Sequence, residues 1–181
     1  ITISCDLNYR KKLWSKEQAN KTMSELAKYI DVVIANEEDA ADVFNIHSTA
    51  SDVTKGELNK EGYIEVAQKL TEKFGFKKVA ITLRESISAN DNRWSAMLYV
   101  DGKAYFSRTY NMHIVDRVGG GDSFGGGLIY SLLQGFDPQK TIEFAVGASC
   151  LKHSIEGDYN LVSVDEVLSL IGGNASGRVQ R

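Results

Sequence analysis

Two short runs, Asp31-Val32-Val33-Ile34-Ala35 and Lys78-Val79-Ala80-Ile81-Thr82-Leu83, limit the folds open to this 181-residue chain. Both are dense in β-branched and apolar residues, the pattern of strands buried on both faces in a sheet covered by helices. Around them lie amphipathic patterns of helical period. Ser15-Lys16-Glu17-Gln18 is a capping box, and Ala19, Met23, Leu26, Ala27 and Ile30 follow it at helical spacing. A short helix is expected at about 37–44 and a polar loop over 48–60. A second amphipathic helix is expected over 62–74, with Ile64, Ala67, Leu70 and Phe74 on one face and Gly75 as its terminator. Strand, helix, strand, helix, helix, strand is the order of an α/β sheet with crossover connections.

The ends of the chain differ in character. Ile1 to Leu7 is apolar and has no initiating Met, so it reads as a strand already under way, and we expect the chain to be a truncated piece. Trp94 to Val100 and Lys103 to Tyr110 flank Asp101-Gly102, a hairpin signal that adds antiparallel strands. The last third is helical. Asp137 caps a helix that opens on Pro138 and runs towards His153. Ser163 to Glu166 is a second capping box, with Val162 and Val167 spaced as a hydrophobic staple. The tail from Gly172 to Arg181 is Gly-rich and basic, and partial order is expected there.

Composition narrows the function classes. With 21 basic and 24 acidic residues the net charge is −3, so no global basic field favours nucleic acid or an anionic membrane. No apolar run approaches the ~18 residues of a membrane span. Cys5 and Cys150 form no metal-ligand or redox pair, which makes a reducing cytoplasm the expected setting.

Chemistry concentrates in one place. Six of the sixteen glycines fall within nine residues, Gly119 to Gly121 and Gly125 to Gly127, just before the apolar helix pattern of Leu128, Ile129, Leu132 and Leu133. Glycines at a helix start let bare amides approach a ligand, and the helix terminus adds partial positive charge, which suits a phosphate. Close helix packing would by itself explain Gly125 to Gly127. No G-x-x-x-x-G-K-[ST] or G-x-G-x-x-G spacing is present. What remains is a carboxylate, Asp122, inside an anion cradle. It would repel a phosphate unless it served as the base for an attacking hydroxyl. A rival reading takes Gly121-Asp122-Ser123-Phe124-Gly125 as a G-x-S-x-G nucleophile elbow, with Asp137 and His153 completing a triad.

Asp116-Arg117-Val118-Gly119-Gly120-Gly121-Asp122-Ser123-Phe124 resembles the D-T-x-G-A-G-D-x-F signature of the ribokinase-like (PfkB-type) carbohydrate kinases. Asp6-Leu7-Asn8-Tyr9-Arg10, Asn36 to Asp39, Thr82 to Ser86 and Gly157-Asp158-Tyr159-Asn160 add to it in the family's order, and its keto-deoxygluconate kinase branch is the most similar. The resemblance implies a ribokinase-like three-layer α/β/α sandwich, incomplete because the substrate-binding N-terminal portion and its lid are missing. Residues 1–171 would be the nucleotide-binding portion of one domain and 172–181 a tail. It also implies phosphorylation of the 6-hydroxyl of 2-keto-3-deoxygluconate, or of another sugar in the family. ATP and Mg2+ are the implied cofactors, with room for a monovalent cation, and a homo-oligomer is allowed. An isolated chain of this length would bind nucleotide without catalysis.

Site roles follow from the same resemblance. Asp122 would be the base, and Gly119, Gly120 and Gly121 would form the anion hole. Arg10 and Asp158 would hold the sugar acid, since a guanidinium fork suits a carboxylate. Asn8, Asn36, Thr82, Arg84, Glu85 and Ser86 would line the nucleotide site, and Asp39 would reach magnesium. Four residues depart from the pattern: Arg117 for threonine, Gly120 for alanine, Asp39 for glutamate, and Arg84 where glycine is usual. Against these roles stand bland ones: a helix N-cap for Asp122, an N-cap cluster for Asn36 and Asp39, an exposed loop for Arg84 to Ser86, and a surface or turn residue for Arg10 and Asp158.

Overall fold

The computed structural model describes residues 1–36, 38–49 and 60–173, and within them the chain divides into two compact units. The first comprises Ile1–Leu83 and Ala96–Tyr105, the second Arg84–Ser95 and Phe106 onwards.

The first unit is built on strands. β1 (Ser4–Asp6), β2 (Val32–Asn36) and the start of β3 (Lys78–Ser86) lie side by side and parallel, with Cys5 opposite Val33 and Ile34 opposite Ala80. The sheet continues through β4 (Asp91–Val100) to β5 (Lys103–Phe106). Val33, Val79 and Ala80 are wholly buried, as the unalternating apolar runs require. β1 is shorter than the apolar opening suggested, and Ile1 and Ile3 are exposed.

The helices of this unit are α1 (Lys16–Leu26), α2 (Asp39–Phe44) and α3 (Lys60–Phe74). Both halves of the Ser15–Gln18 capping box form. Ala19, Met23, Ala27 and Ile30 are buried, whereas Leu26 is exposed because α1 tightens there into a 3₁₀ turn over Ala27–Tyr29. α3 starts at Lys60, inside the expected loop, and Gly75 ends it at φ 77°. Residues 50–59 of that loop, Glu37 at the expected start of the short helix, and 174–181 of the tail lie outside the described residues. Asp101 and Gly102 both take positive φ, 51° and 74°, as a two-residue type I′ hairpin turn demands.

In the second unit the expected single strand from Lys103 to Tyr110 breaks. β5 stops at Phe106, and a separate β6 (Tyr110–His113) pairs antiparallel with the start of β4, Trp94 opposite Tyr110. Three helices follow: α4 (Gly120–Leu133), α5 (Pro138–Lys152) and α6 (Val164–Ile171). Asp137 accepts the Lys140 amide at 3.0 Å, and Ser163 and Glu166 cap α6 reciprocally. Val162 packs against the buried cluster of Phe144, Ala148 and Val167, which closes the staple. Of the second glycine trio, Gly127 meets Ala145 and Ala148 so closely that a Cβ would sit 3.1 Å from each, while nothing crowds Gly126. Close helix packing therefore explains Gly127. No helix among the described residues is long and apolar enough to cross a membrane.

Candidate active site

α4 begins three residues earlier than a cap at Asp122 would require. Gly119 is its N-cap, in the left-handed region at φ 76°, and Asp122 sits in the first turn. The N-cap reading of Asp122 is thus corrected: the turn closes on glycine, and the carboxylate stands free at the positive end of the helix. The first amide to bond inside α4 is that of Ser123, to the Gly119 carbonyl at 2.9 Å. Before it, the Gly120 amide makes a long 3.4 Å contact with the Arg117 carbonyl. The amides of Gly119, Gly121 and Asp122 meet no acceptor among the described residues. The space over Gly121 is open to 4 Å. Unpaired amides at a helix start, with room above them, form an anion site.

The turn is held from below by the segment that follows α5. The amides of Val115 and Asp116 donate to the His153 carbonyl at 2.9 and 3.2 Å. The Asp116 carboxylate accepts Val118 N–H at 3.0 Å and Gly157 N–H at 2.9 Å. Those amides, Val118 before Gly157, hold its carboxyl below the usual range, with Lys152 adding to them. Gly119 lies on the Asp158 carbonyl, Gly120 on the His153 ring, and the Ser149 hydroxyl donates to the Gly120 carbonyl at 2.8 Å. Sequence reasoning passed over Asp116 as a functional group and offered His153 as a member of the rival triad. His153 is in fact buried beneath the glycine turn, and burial, its largest influence, pushes its imidazole below the ordinary value.

A cleft of about 330 Å³ opens beside the turn, lined by Gly119, Asp122 and Ser123 and by Asp158, Tyr159 and Asn160 across from them. Two of the expected sugar-site residues, Asp122 and Asp158, thus meet in one cleft. The hydrolase triad does not form. Ser123 Oγ is buried with no partner among the described residues, and His153 Nδ1 pairs with the Ser149 carbonyl at 2.7 Å. Asp137 is occupied as the α5 cap.

In the first unit, Asn8 and Arg10 are exposed just past the end of β1, Asn8 at φ 39°. Among the described residues the Arg10 guanidinium donates to the neighbouring Tyr9 carbonyl, at 3.2 Å. Asn36 Oδ1 accepts the amides of Glu38 and Asp39 at 2.8 and 2.9 Å, so it caps the following turn. Asp39 is buried. Its oxygens accept Tyr9 N–H at 3.4 Å and Asn36 N–H at 3.1 Å, and burial raises its carboxyl above the usual value despite those bonds. No group of three His, Cys, Asp or Glu among the described residues is arranged for a metal.

Thr82, Arg84, Glu85 and Ser86 all lie within β3, because that strand runs on to Ser86 where a loop was expected. Strand alternation puts Thr82, Arg84 and Ser86 on one face and Glu85 on the other. Glu85 pairs with Arg93 of the adjoining strand at 3.2 Å, and Thr82 Oγ1 reaches the Ala35 carbonyl at 3.5 Å.

Residues 2–164 match the pfkB family carbohydrate kinases. The chain belongs to that family. Its fold is the ribokinase-like α/β fold, seen in 2-dehydro-3-deoxygluconokinase of Thermotoga maritima, whose crystal structure is similar at 52% identity with a TM-score of 0.89. That similarity covers 96% of this chain and 50% of the Thermotoga chain. The 2-dehydro-3-deoxygalactonokinase of Haloferax volcanii is 27% identical over 97% of this chain and 49% of its own length. An E. coli chain described as a ribokinase II, solved in complex with ATP and Mg2+, shares the fold at 20% identity and a TM-score of 0.70, over 95% of this chain and 49% of its own. The chain thus spans about half the length of the relatives it matches.

Proposed function

We propose that the protein carrying this chain is an ATP-dependent sugar-acid kinase that phosphorylates the 6-hydroxyl of 2-keto-3-deoxygluconate. One observation carries the reading: the Asp122 carboxylate stands in the first turn of α4, beside unpaired amides and facing a cleft that it shares with Asp158. The family match supports it, and the 52% identity to a 2-dehydro-3-deoxygluconokinase supports the choice of acceptor.

The residues present fit a nucleotide phosphate, since the open amides of Gly119, Gly121 and Asp122 offer donors that no other described residue uses. When bound, ATP supplies the γ-phosphoryl group and magnesium offsets charge on the phosphates. The amides take the negative charge that builds on the transferring group, and because the helix fixes them they need not reorganise. Asp122 accepts the proton from the sugar hydroxyl, a task for a carboxylate that is exposed and free of a backbone role. Arg10 clamps the sugar carboxylate with its fork. Asn36 and Asp39 would act on the magnesium through its bound water or the phosphate, with the Asp39 carboxylate held in place by the amides of Tyr9 and Asn36. Arg84 and Ser86 serve the nucleotide from their shared face of β3, with Thr82 two residues before Arg84 on the same strand and Asn8 past the end of β1. A cytoplasmic setting belongs to the same reading.

The test is phosphoryl transfer from labelled ATP to 2-keto-3-deoxygluconate, with the product's phosphate position read by NMR. Its C4 epimer, the galactonate form, and a neutral sugar serve as competitors. Preference for the gluconate form at the 6-hydroxyl supports the reading, and preference for a neutral sugar overturns it.

A further inference from the structure

Lys152 is a charged side chain that the proposed reaction leaves unused, and it is wholly buried. It ends α5, and its Nζ donates to the Ile155 carbonyl at 3.1 Å, inside the segment that carries the glycine turn. An ammonium has three donors and a full charge, and burying one is costly unless other groups compensate it. The Ile155 carbonyl is such a group, and the acid that Lys152 influences is Asp116. Its carboxylate feels Lys152 and joins the two layers of the site, with Val118 of the glycine turn on one oxygen and Gly157 of the lower segment on the other. The chain of contacts then runs upward: Asp158 carbonyl beneath Gly119, His153 ring beneath Gly120, Ser149 hydroxyl on the Gly120 carbonyl.

We propose that Lys152 is a positioning residue, a fixed internal cation that binds the Ile155 carbonyl and offsets Asp116. It thereby holds the 153–158 segment in the shape that aims the amides of Gly119, Gly121 and Asp122, unpaired among the described residues, at a phosphate. This inference rests on the phosphate-cradle reading of the turn. A lysine that merely finished α5 favourably, as cations do at helix C-termini, would stabilise the fold and leave anion binding alone.

Lys152→Met keeps the buried stem and removes the charge. In calorimetric titration with ATP and Mg2+, the variant should remain folded and lose about tenfold or more in affinity, as loss of a charged hydrogen bond implies. Methylammonium or potassium should restore part of that loss, tetramethylammonium should not, and Lys152→Arg should retain more affinity than Lys152→Met. Without ligand, NMR titration of the Asp116 carboxyl should move upward in Lys152→Met. Wild-type affinity in Lys152→Met, or an unmoved Asp116, overturns the inference. So does a loss that follows thermal stability and that no small cation relieves. If Lys152→Met does not fold, Lys152→Arg decides, since a folded arginine variant without affinity contradicts the proposal. Failure of the wild type itself to bind ATP sinks the phosphate-cradle reading, and the Asp116 titration still judges Lys152.

Discussion

Gly119 rests directly on the backbone carbonyl of Asp158, and a Cβ at residue 119 would fall well inside van der Waals contact of that oxygen. The signature turn and the Gly157-Asp158 segment therefore act as one piece, and glycine is demanded there twice over, by φ and by space.

Gly119→Ala should be destabilising and should weaken nucleotide binding. The left-handed conformation alone costs about 1–2 kcal/mol with a side chain, and the carbonyl contact adds to it. Gly121→Ala should separate the two effects. Nothing surrounds that position, and alanine in a helix start favours the fold by roughly 0.4–1 kcal/mol. If phosphate occupies the open space, Gly121→Ala raises the melting temperature while lowering ATP affinity. Thermal unfolding and calorimetry on the same samples check this, and unchanged affinity in Gly121→Ala would place the phosphate elsewhere.

Arg10→Lys should weaken binding of the sugar acid much more than that of a neutral sugar of similar size. A charged, bidentate pair is worth roughly 1.5–3 kcal/mol, and lysine cannot reproduce its fork. Competition binding with both sugars reads the difference. Equal losses would show that Arg10 does not hold the carboxylate.

Acid should loosen the glycine turn from its floor. Burial, more than its charged neighbours, lowers the folded-state pKa of His153 below its unfolded value of about 6.5. The unfolded chain then binds more protons below that pH, so the contribution of His153 is present above about 6.5 and is lost as pH falls towards the folded value. Asp116, also lowered, loses its contribution at lower pH still. Asp39 has the opposite sign: its raised pKa favours the fold in acid and ceases to do so as pH rises through the folded value. Denaturant unfolding between pH 7.5 and 5.5 should show a slope that His153→Gln flattens. A slope unaffected by that substitution would contradict the burial argument.

What the sequence made legible was local. The capping boxes at Ser15 and Ser163, the Asp137-Pro138 helix start and the Asp101-Gly102 turn each need only neighbouring residues, and each forms. The extension of β3 to Ser86 and the separate β6 depend on pairing across the sheet, which no short window encodes, so Glu85 was grouped with residues that it faces away from. Within the site, the glycine cluster marked the anion turn, but its floor did not announce itself. Lys152 and His153 look like an ordinary polar helix end, and only tertiary packing buries them under Gly120.

Asp122→Asn gives the most direct test, with turnover and ATP binding measured side by side on the protein carrying this chain and 2-keto-3-deoxygluconate as acceptor. The substitution removes the base and leaves the amides in place. Turnover should fall by about 10²–10⁴, the usual worth of general base catalysis, while ATP affinity stays near that of the wild type. Ser123→Ala should leave both within a small factor. Retained turnover in Asp122→Asn, or its abolition by Ser123→Ala alone, would contradict the assignment of Asp122 as the base.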